Sequence, residues 1–346
     1  MIASTPAVPH DHRLDSLHGW LQRLPELGGY TLEPASSDAS FRRYFRVRYG
    51  ERSYIAMDAP PPQENIRPFL HVAELMAAAQ VRVPRIHAAH DEQGFVLLED
   101  FGTALYLDRL HANTADALYR DAMEMLLRLQ TGVAPAQTQL ADYSEAILHV
   151  EMQLFTDWFV GKLLQLPLTP EEAGSLRHCL NRLVAVILEQ PAVLVHRDYH
   201  SRNLMVTPGA NPGVLDFQDA LVGPITYDLV SLLRDCYVAW PQARVRGWVL
   251  AYAERCRSLG LLDSAVDDRQ FLRWFDLMGV QRHLKAIGIF ARLKLRDGKD
   301  GYIKDIPRTL NYIILATRNQ KDFKPLRLLM EQRIKPRLTE YLGANR

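Results

Sequence analysis

The chain has 346 residues, of which 48% are hydrophobic and 23% are charged, and its formal net charge is +1. This length and composition predict two domains, or one large protein of two lobes, with enough apolar residues for a well-filled core. No stretch approaches the roughly 18 apolar residues of a membrane helix, and the start lacks the basic head and apolar run of a secretory signal. The three cysteines have no paired, metal-like spacing, so we expect reduced thiols and a cytoplasmic protein.

The first hundred residues predict a helix followed by a small antiparallel sheet. Apolar residues at helical spacing from Leu14 to Leu24 indicate an amphipathic helix. Aromatic and β-branched residues predict five strands, over residues 30–33, 41–49, 52–58, 86–89 and 94–99. A helix is expected over residues 65–80, and the small polar residues 36–40 are expected to link the first two strands.

After Gly102 the apolar spacing becomes mostly helical. Helices are predicted over residues 144–166, 170–189, 227–237, 243–259 and 268–295, and over a C-terminal stretch that includes 309–317. The expected fold class is therefore α+β, with a small five-stranded antiparallel lobe at residues 1–102 and a larger, mainly helical lobe at residues 103–346.

The most specific motif is the run His-Arg-Asp-Tyr-His-Ser-Arg-Asn at residues 196–203. It follows the apolar segment 192–195, and Asp216 stands thirteen residues after Asn203, behind the apolar residues 213–215. This is the spacing of a phosphoryl-transfer catalytic loop and its metal-binding aspartate. A chance match to the first motif in a chain of this length has a probability on the order of 10⁻³.

The chemistry of phosphoryl transfer needs these residue types. Asp198 is placed to accept a hydrogen bond from the substrate hydroxyl and to take its proton. Asn203 and Asp216 supply the oxygen ligands that Mg²⁺ prefers, beside the triphosphate. We expect His196 to brace the backbone of the loop, and Asp228 to favour the dipole of the helix that it begins.

These residues resemble the aminoglycoside phosphotransferase superfamily, whose members have a two-lobed, protein-kinase-like fold and phosphorylate small molecules. The resemblance rests on the catalytic run and on residues 214–229, where Gly-Pro-x-x-Tyr-Asp follows the metal-binding motif. Residues 36–47, 54–65 and 97–102 are similar, more narrowly, to the bacterial N-acetylmuramate/N-acetylglucosamine anomeric kinases.

That resemblance implies ATP- and Mg²⁺-dependent phosphorylation of a sugar's anomeric hydroxyl to the α-1-phosphate, in peptidoglycan recycling. The lobe at residues 1–102 would bind the nucleotide and end in a hinge at residues 98–102. The helical lobe would hold the sugar, and the expected substrate-binding residues are Tyr199, His200, Arg202, Asp219, Arg282 and Lys285. Of these Arg282 and Lys285, together with Arg292, would suit the lactyl carboxylate of N-acetylmuramate.

The phosphate-binding segments depart from the kinase pattern. Residues 36–40 contain no glycine, and Met57 stands where a kinase lysine would pair with the phosphates, which leaves Glu74 without its usual partner. Arg42 and Arg43 are the nearest cationic substitutes, because a guanidinium can bind phosphate through two hydrogen bonds; exposure on an edge strand is the alternative. The expected nucleotide-binding residues are Ser37, Asp38, Ser40, Arg42, Arg43, Glu99 and Phe101.

Charge is distributed unevenly along the chain. Residues 281–346 hold sixteen Lys and Arg against six Asp and Glu, whereas the first 280 residues carry a net charge of minus nine. This basic region is either a solvated helix face or a contribution to binding an anionic substrate. The aromatic-interleaved signatures of nucleic-acid binding are missing. We expect an amino sugar and ATP as partners, with no nucleic acid or membrane, while the oligomeric state stays open and a monomer is compatible.

Three other functions are considered. An aminoglycoside kinase would need an acidic pocket for its polycationic substrate, which the basic region argues against. An inactive kinase-like binding module is suggested by the missing lysine, but Asp198, Asn203 and Asp216 are all retained. A protein kinase is the weakest alternative, since no Ala-Pro-Glu run follows Asp216.

Overall fold

The computed structural model describes residues 11–25, 27–37 and 41–344. The chain divides into two compact units. The sheet unit comprises residues Met1–Ala73 and Val83–Gly102, and the helical unit comprises Glu74–Arg82 and Thr103–Arg346. One division falls after Gly102, and residues 74–82 group with the helical unit.

The sheet unit contains one five-stranded antiparallel sheet in the order β1-β2-β3-β5-β4. Its elements are α1 (His12–Leu21), β1 (Thr31–Ser37), β2 (Arg43–Tyr49), β3 (Arg52–Asp58), α2 (Arg67–Ala78, which continues past the division), β4 (Ile86–His90) and β5 (Phe95–Glu99). Helix α1 begins where the Asp11 carboxylate accepts a hydrogen bond from the Leu14 amide at 3.0 Å. The apolar face of α1, with Leu17, Trp20 and Leu21, belongs to the same buried cluster as the strand residues Val47 and Phe95.

Strand β1 is longer than its sequence predicts. Residues 36 and 37 were expected in a linking loop, but they pair with Tyr44 and Arg43 of β2. The register shifts between Pro34 and Ser36, because proline cannot donate to the ladder and the strand continues past it through an irregularity. Residues 38–40 lie outside the described residues.

The helical unit holds two small antiparallel sheets and most of the helices. Its α-helices are α3 (Tyr106–Arg109), α4 (Ala115–Gly132), α5 (Glu145–Leu154), α6 (Pro170–Ile187), α7 (Tyr227–Leu233), α8 (Gln242–Ser258), α9 (Asp268–Asp297), α10 (Ile306–Thr317), α11 (Lys324–Leu329) and α12 (Lys335–Ala344). Two π-helices (Phe155–Leu163 and Met330–Ile334) and three 3₁₀ helices (Pro135–Gln137, Asp300–Asp305 and Lys321–Phe323) lie between them. Strands β6 (Ala192–Val195) and β9 (Leu221–Pro224) form one pair, and β7 (Leu204–Met205) and β8 (Gly213–Val214) form the other. The expected α+β class, with one five-stranded antiparallel sheet and a larger, mainly helical part, is confirmed.

Helix α9 is the central helix of this unit. It has 30 residues, begins at the capping carboxylate of Asp267, and ends at Gly298, whose φ of 67° is in the left-handed region that favours glycine. At Gly288 an added Cβ would lie 2.4 Å from the Leu154 carbonyl carbon, so only glycine allows α9 to approach α5 this closely. Buried on most of its faces, α9 brings Gln281, Arg282 and Lys285 into the interior.

Two α-helices end before the predicted residue. Helix α5 stops at Leu154 and continues as the π-helix, within the expected 144–166 segment. Helix α7 stops at Leu233 rather than at residue 237, because Arg234 leaves the helical conformation (φ −119°, ψ 49°). Across the described ranges, no helix combines the length and the apolar character that crossing a bilayer requires.

Candidate active site

The loop at residues 196–203 begins directly after β6 and is held by a buried histidine. His196 accepts a hydrogen bond from the Asp198 amide at its Nδ1 (3.1 Å) and donates from Nε2 to the Leu215 carbonyl (2.9 Å). Burial lowers the pKa of His196 to about 4, which keeps the imidazole neutral and fixes these donor and acceptor roles. The expectation that His196 braces the loop is confirmed.

The side chain of Asp228 holds the start of the same loop. It lies in the first turn of α7, as the sequence predicts, but its oxygens accept hydrogen bonds from the backbone amides of His196 (2.7 Å) and Arg197 (3.0 Å). Burial raises the pKa of Asp228 to about 7 although both amides lower it. Asp228 thus lies at the start of the helix, as the sequence predicts, and it also fixes the backbone before Asp198, which the sequence does not predict.

A second buried carboxylate holds the middle of the loop. Asp235 accepts hydrogen bonds from the Ser201 amide (3.0 Å) and the Ser201 hydroxyl (2.5 Å). The neighbouring Tyr199 is fully buried, and its hydroxyl donates to the Ala122 carbonyl at 2.8 Å. Tyr199 is therefore a core residue whose hydroxyl anchors the loop to α4, and its contact with the sugar stays a prediction.

The loop brings Asp198, Asn203 and Asp216 together. The Asn203 amide nitrogen donates to the Asp198 carbonyl (3.0 Å) and lies 3.4 Å from the Asp216 carboxylate, which also accepts from Gln218 (2.8 Å). Asp216 has a φ of +62°, a strained conformation typical of functional positions. Among the described residues no cluster of three His, Cys, Asp or Glu side chains could hold a metal ion. The residues that could hold an Mg²⁺ ion are Asn203, through its amide oxygen, and Asp216, through its carboxylate, because these donors fit a hard cation that keeps several waters.

The electrostatic surroundings keep Asp198 ionised. Burial alone would raise its pKa, but the charges of Lys285, His200 and Arg282 outweigh that effect and lower the pKa below its ordinary value. An ionised carboxylate accepts hydrogen bonds and does not donate them, which is the state required to orient a substrate hydroxyl.

A buried carboxylate on α5, Glu151, binds two of the cations near Asp198. It forms ion pairs with Arg197 and with Lys285 (2.8 Å), and it accepts hydrogen bonds from Tyr143 and from Gln281 (2.9 Å). The side chain of Glu151 is only 8% exposed. Burial would raise the pKa of Glu151, but Lys285 and Arg197 lower it, so the group is a carboxylate with four partners. We call these five residues the Glu151 cluster.

The Glu151 cluster holds the residue that precedes Asp198 in an unusual conformation. Arg197 has a φ of +77°, where an L-residue costs about 1 kcal/mol or more relative to glycine. Its guanidinium compensates by binding Glu151, with a longer contact of 3.5 Å to the Asp219 carbonyl. Asp219 itself is exposed.

Two further predicted substrate residues, Arg202 and His200, lie against aromatic rings. Arg202 lies with its guanidinium carbon 3.7 Å from the centre of the Tyr237 ring and 5.5 Å from that of Tyr302. The centre of the His200 ring lies 5.5 Å from that of the same Tyr237 ring, and the two rings are nearly perpendicular. The ends of the catalytic loop thus differ: one is held by charge, the other by aromatic rings.

Arg282 is the most buried of the predicted cations, with 6% of its surface exposed. Its Nη1 lies 4.0 Å from the Cys236 sulfur, and within the described chain its Nε has no hydrogen-bond partner and no carboxylate lies within ion-pair distance. A buried cation is costly unless negative charge lies near it. The charge of Asp198 acts on Arg282 without direct contact and favours its charged form.

In the sheet unit the two arginines expected to bind phosphate are already paired. Arg42 binds Glu64 at 3.0 Å. Arg43 binds the buried carboxylate of Asp58 at 2.6 Å and also Asp11. Phosphate binding by either arginine would therefore be an exchange of partners.

The lysine position of a kinase is apolar and buried here. Met57 is fully buried in β3, opposite Val96 of β5. Glu74 is exposed on α2. Met57 is thus a core residue of the sheet.

Two of the remaining predicted nucleotide residues lie at strand ends. Ser37 ends β1, and Glu99 ends β5, where its amide donates to the Arg85 carbonyl at 2.8 Å. Phe101 follows two residues later and is half-buried. Asp38 and Ser40 lie outside the described residues.

Comparison with known proteins assigns the family. The profile described as "Phosphotransferase enzyme family" matches residues 31–274, more than half of the chain. This chain belongs to the phosphotransferase enzyme family. A Pseudomonas putida protein named N-acetylmuramate/N-acetylglucosamine kinase is 48% identical over 88% of this chain and 91% of its own length. Proteins of the same name from Pseudomonas aeruginosa (47%, 91% and 95%) and Neisseria meningitidis (43%, 91% and 94%) are similar too.

Solved structures share the fold of this phosphotransferase at low sequence identity. A choline kinase from Streptococcus pneumoniae superposes with a TM-score of 0.62 at 11% identity, covering 88% of this chain and 99% of the other. An ADP-bound aminoglycoside phosphotransferase gives 0.59 at 16% identity, covering 87% and 98%. These similarities show the fold, and the family implies a nucleotide substrate.

Sequence reasoning missed two residues that shape this phosphotransferase site, Glu151 and Asp235. Glu151 had a detectable signal, because it is a single carboxylate beside Leu148 and Met152 on the buried face of α5. Asp235 had none, since it falls in a segment that the sequence predicts as helix.

Proposed function

We propose that this phosphotransferase transfers the γ-phosphoryl group of ATP to the anomeric hydroxyl of N-acetylmuramate and N-acetylglucosamine, giving the α-1-phosphate used in peptidoglycan recycling. The observation that carries this proposal is 48% identity, across nearly all of both chains, with a protein named N-acetylmuramate/N-acetylglucosamine kinase. The arrangement of Asp198, Asn203 and Asp216 supports the reaction type independently of that name.

In this mechanism Asp198 accepts a hydrogen bond from the anomeric hydroxyl and receives its proton as the oxygen attacks phosphorus. The lowered pKa of Asp198 makes it a weak base. An anomeric hydroxyl is more acidic than an ordinary alcohol, so orientation matters more than basicity here. Asn203 and Asp216 would hold Mg²⁺, which when bound neutralises phosphate charge.

The substrate contacts are assigned by chemistry. His200, Arg202, Asp219, Arg282 and Lys285 are proposed to contact the sugar. Lys285 already shares Glu151, whereas Arg202 and Arg282 lack a carboxylate within ion-pair distance in the described part of the chain. These two arginines are therefore the better candidates for the lactyl carboxylate of N-acetylmuramate.

The nucleotide contacts are proposed to come from the sheet unit. Ser37, Asp38, Ser40, Arg42, Arg43, Glu99 and Phe101 are the residues assigned to this role. Backbone amides and serine hydroxyls would approach the phosphates, and an arginine would replace the missing lysine.

The proposal is tested by product analysis. The protein is incubated with ATP, Mg²⁺ and N-acetylmuramate, N-acetylglucosamine or kanamycin, and the products are examined by phosphorus NMR. We expect an anomeric phosphate with either amino sugar, and a kcat lower by roughly 10²–10⁴-fold in Asp198→Asn. Phosphorylated kanamycin would support an aminoglycoside kinase instead, and ATP binding without turnover of any acceptor would support an inactive binding module.

A further inference from the structure

The helical unit contains a cavity of about 470 Å³ that is separate from the proposed catalytic and metal-binding residues. It lies among the segment 234–249, α9 and α10, and the residues that define its chemistry are Arg234, Trp240, Arg246, Phe275, Arg308 and Tyr312. Its volume is within the range of pockets that bind small molecules, roughly 300–1,000 Å³.

Cationic side chains outnumber carboxylates in the lining of this cavity. Arg234, Arg246 and Arg308 line it together with a single carboxylate, Asp276, which is paired with Arg234 at 2.5 Å. Arg308 contacts Asp305 at 3.2 Å, but burial raises the pKa of that carboxyl group, which weakens its ability to neutralise the arginine. The cavity therefore carries an excess of positive charge suited to an anion.

The same cavity offers flat apolar surface beside the charge. Trp240 and Tyr312 line it and are half-buried, whereas Phe275 is 1% exposed and lies beside the guanidinium of Arg234, whose carbon is 4.6 Å from the ring centre. Guanidinium groups next to aromatic rings recognise a planar or ring-shaped group that carries phosphate. We propose that this cavity is an effector site for a small phosphate monoester attached to a ring.

The segment 234–238 joins this cavity to the catalytic loop. On the cavity side, Arg308 donates to the Cys236 carbonyl at 2.5 Å, and Tyr312 donates to the Val238 carbonyl at 3.3 Å. On the other side, the adjacent Asp235 holds the Ser201 amide and hydroxyl of the loop.

A phosphate that binds Arg308 competes with the Cys236 carbonyl for that guanidinium. It thereby changes the support of Asp235, and with it the position of the catalytic loop. The occupied cavity alters turnover without touching the reacting groups.

Binding is measured first, because that measurement does not depend on the identity of the sugar substrate. Phenyl phosphate and methyl phosphate are titrated into the full-length protein by calorimetry, with wild type, Arg246→Glu, Arg308→Gln and Arg269→Glu. Arg246 is exposed on α8, so its reversal is expected to leave folding intact, and Arg269 is an equally exposed arginine outside the cavity. Hydrogen exchange across residues 196–205, with and without phenyl phosphate, then reports on the loop.

We expect saturable binding of phenyl phosphate that is tighter than that of methyl phosphate. Loss of one charged contact should weaken it about tenfold or more in Arg246→Glu and in Arg308→Gln, with no change in Arg269→Glu. Phenyl phosphate should also change the exchange rate of the loop in wild type and not in Arg246→Glu. Absence of saturable binding, or binding that Arg246→Glu leaves unchanged, overturns the site; unchanged exchange overturns the link to the loop. None of these outcomes depends on whether amino sugars are the substrates.

Discussion

Two sets of arginine–carboxylate contacts in this protein differ in burial and in what they hold. In the sheet unit, Arg43 is 36% exposed and pairs with two aspartates through side chains alone. In the helical unit, Glu151 is 8% exposed and links two cations, one of which directly precedes Asp198. The Arg43 contacts, which we call the exposed set after the exposed arginine, can be exchanged at less cost than those of the buried set, because the buried Asp58 keeps Arg13 as a second partner. The first suits the binding of a mobile phosphate, and the second suits the fixing of a catalytic loop.

The largest effect is expected from breaking the buried set. In Glu151→Gln, the Arg197 and Lys285 cations remain in a partly buried site without their shared carboxylate. We expect the free energy of unfolding to fall by about 2–4 kcal/mol, discounted for the residual exposure of both cations, and kcat to fall more than the KM for ATP rises. Urea unfolding and steady-state kinetics check both.

The matched control is Glu145→Gln, which changes an exposed glutamate that precedes Glu151 on α5. It should change stability by about 0.5 kcal/mol or less. Equal losses in the two variants would contradict the role assigned to the Glu151 cluster.

A smaller effect is expected from titrating the buried carboxylate Asp228. Its pKa in the folded protein is about 7, above its ordinary value of 3.8, so the folded state binds the proton more tightly than the unfolded state does. The stability contributed by this group is therefore present at low pH and is lost as pH rises through about 7.

The difference in the free energy of unfolding between wild type and Asp228→Asn isolates this titration from other groups, including His196. That difference should fall as pH is raised from about 4 to about 7, and be level above that. A difference that stays constant across this range would show that Asp228 is ionised throughout.

The smallest effect is expected from the exposed set. Arg43→Ala should raise the KM for ATP roughly tenfold, since one charge-assisted contact to phosphate is lost, with kcat nearly unchanged. Stability should change little, because the buried Asp58 keeps its ion pair with Arg13. Arg48→Ala, which removes an exposed β2 arginine paired with Glu33, serves as the control. An unchanged KM in Arg43→Ala and in Arg42→Ala would mean that neither arginine replaces the lysine.

Sequence predicts the parts of this molecule that depend on local pattern. The five strands, the catalytic run and the bracing role of His196 follow from alternation, motif spacing and short-range hydrogen bonding. Local pattern does not predict the contacts between the catalytic loop and distant segments. Glu151 and Asp235 are 46 and 34 residues away along the chain from the loop residues they bind. The burial of Tyr199 could not be predicted either, because the carbonyl that its hydroxyl binds belongs to α4, which is distant in the chain.

The backbone of Arg197 carries a consequence for how variants of this protein should be interpreted. Its φ of +77° is a conformation that an arginine leaves readily once its side chain is released, and Glu151 holds that side chain. A substitution on α5, distant in the chain from the catalytic run, would then let the peptide before Asp198 relax and tilt the carboxylate away from the hydroxyl. In a screen that scores lost activity alone, Glu151 variants would resemble active-site variants, although Glu151 is proposed to touch neither ATP nor sugar.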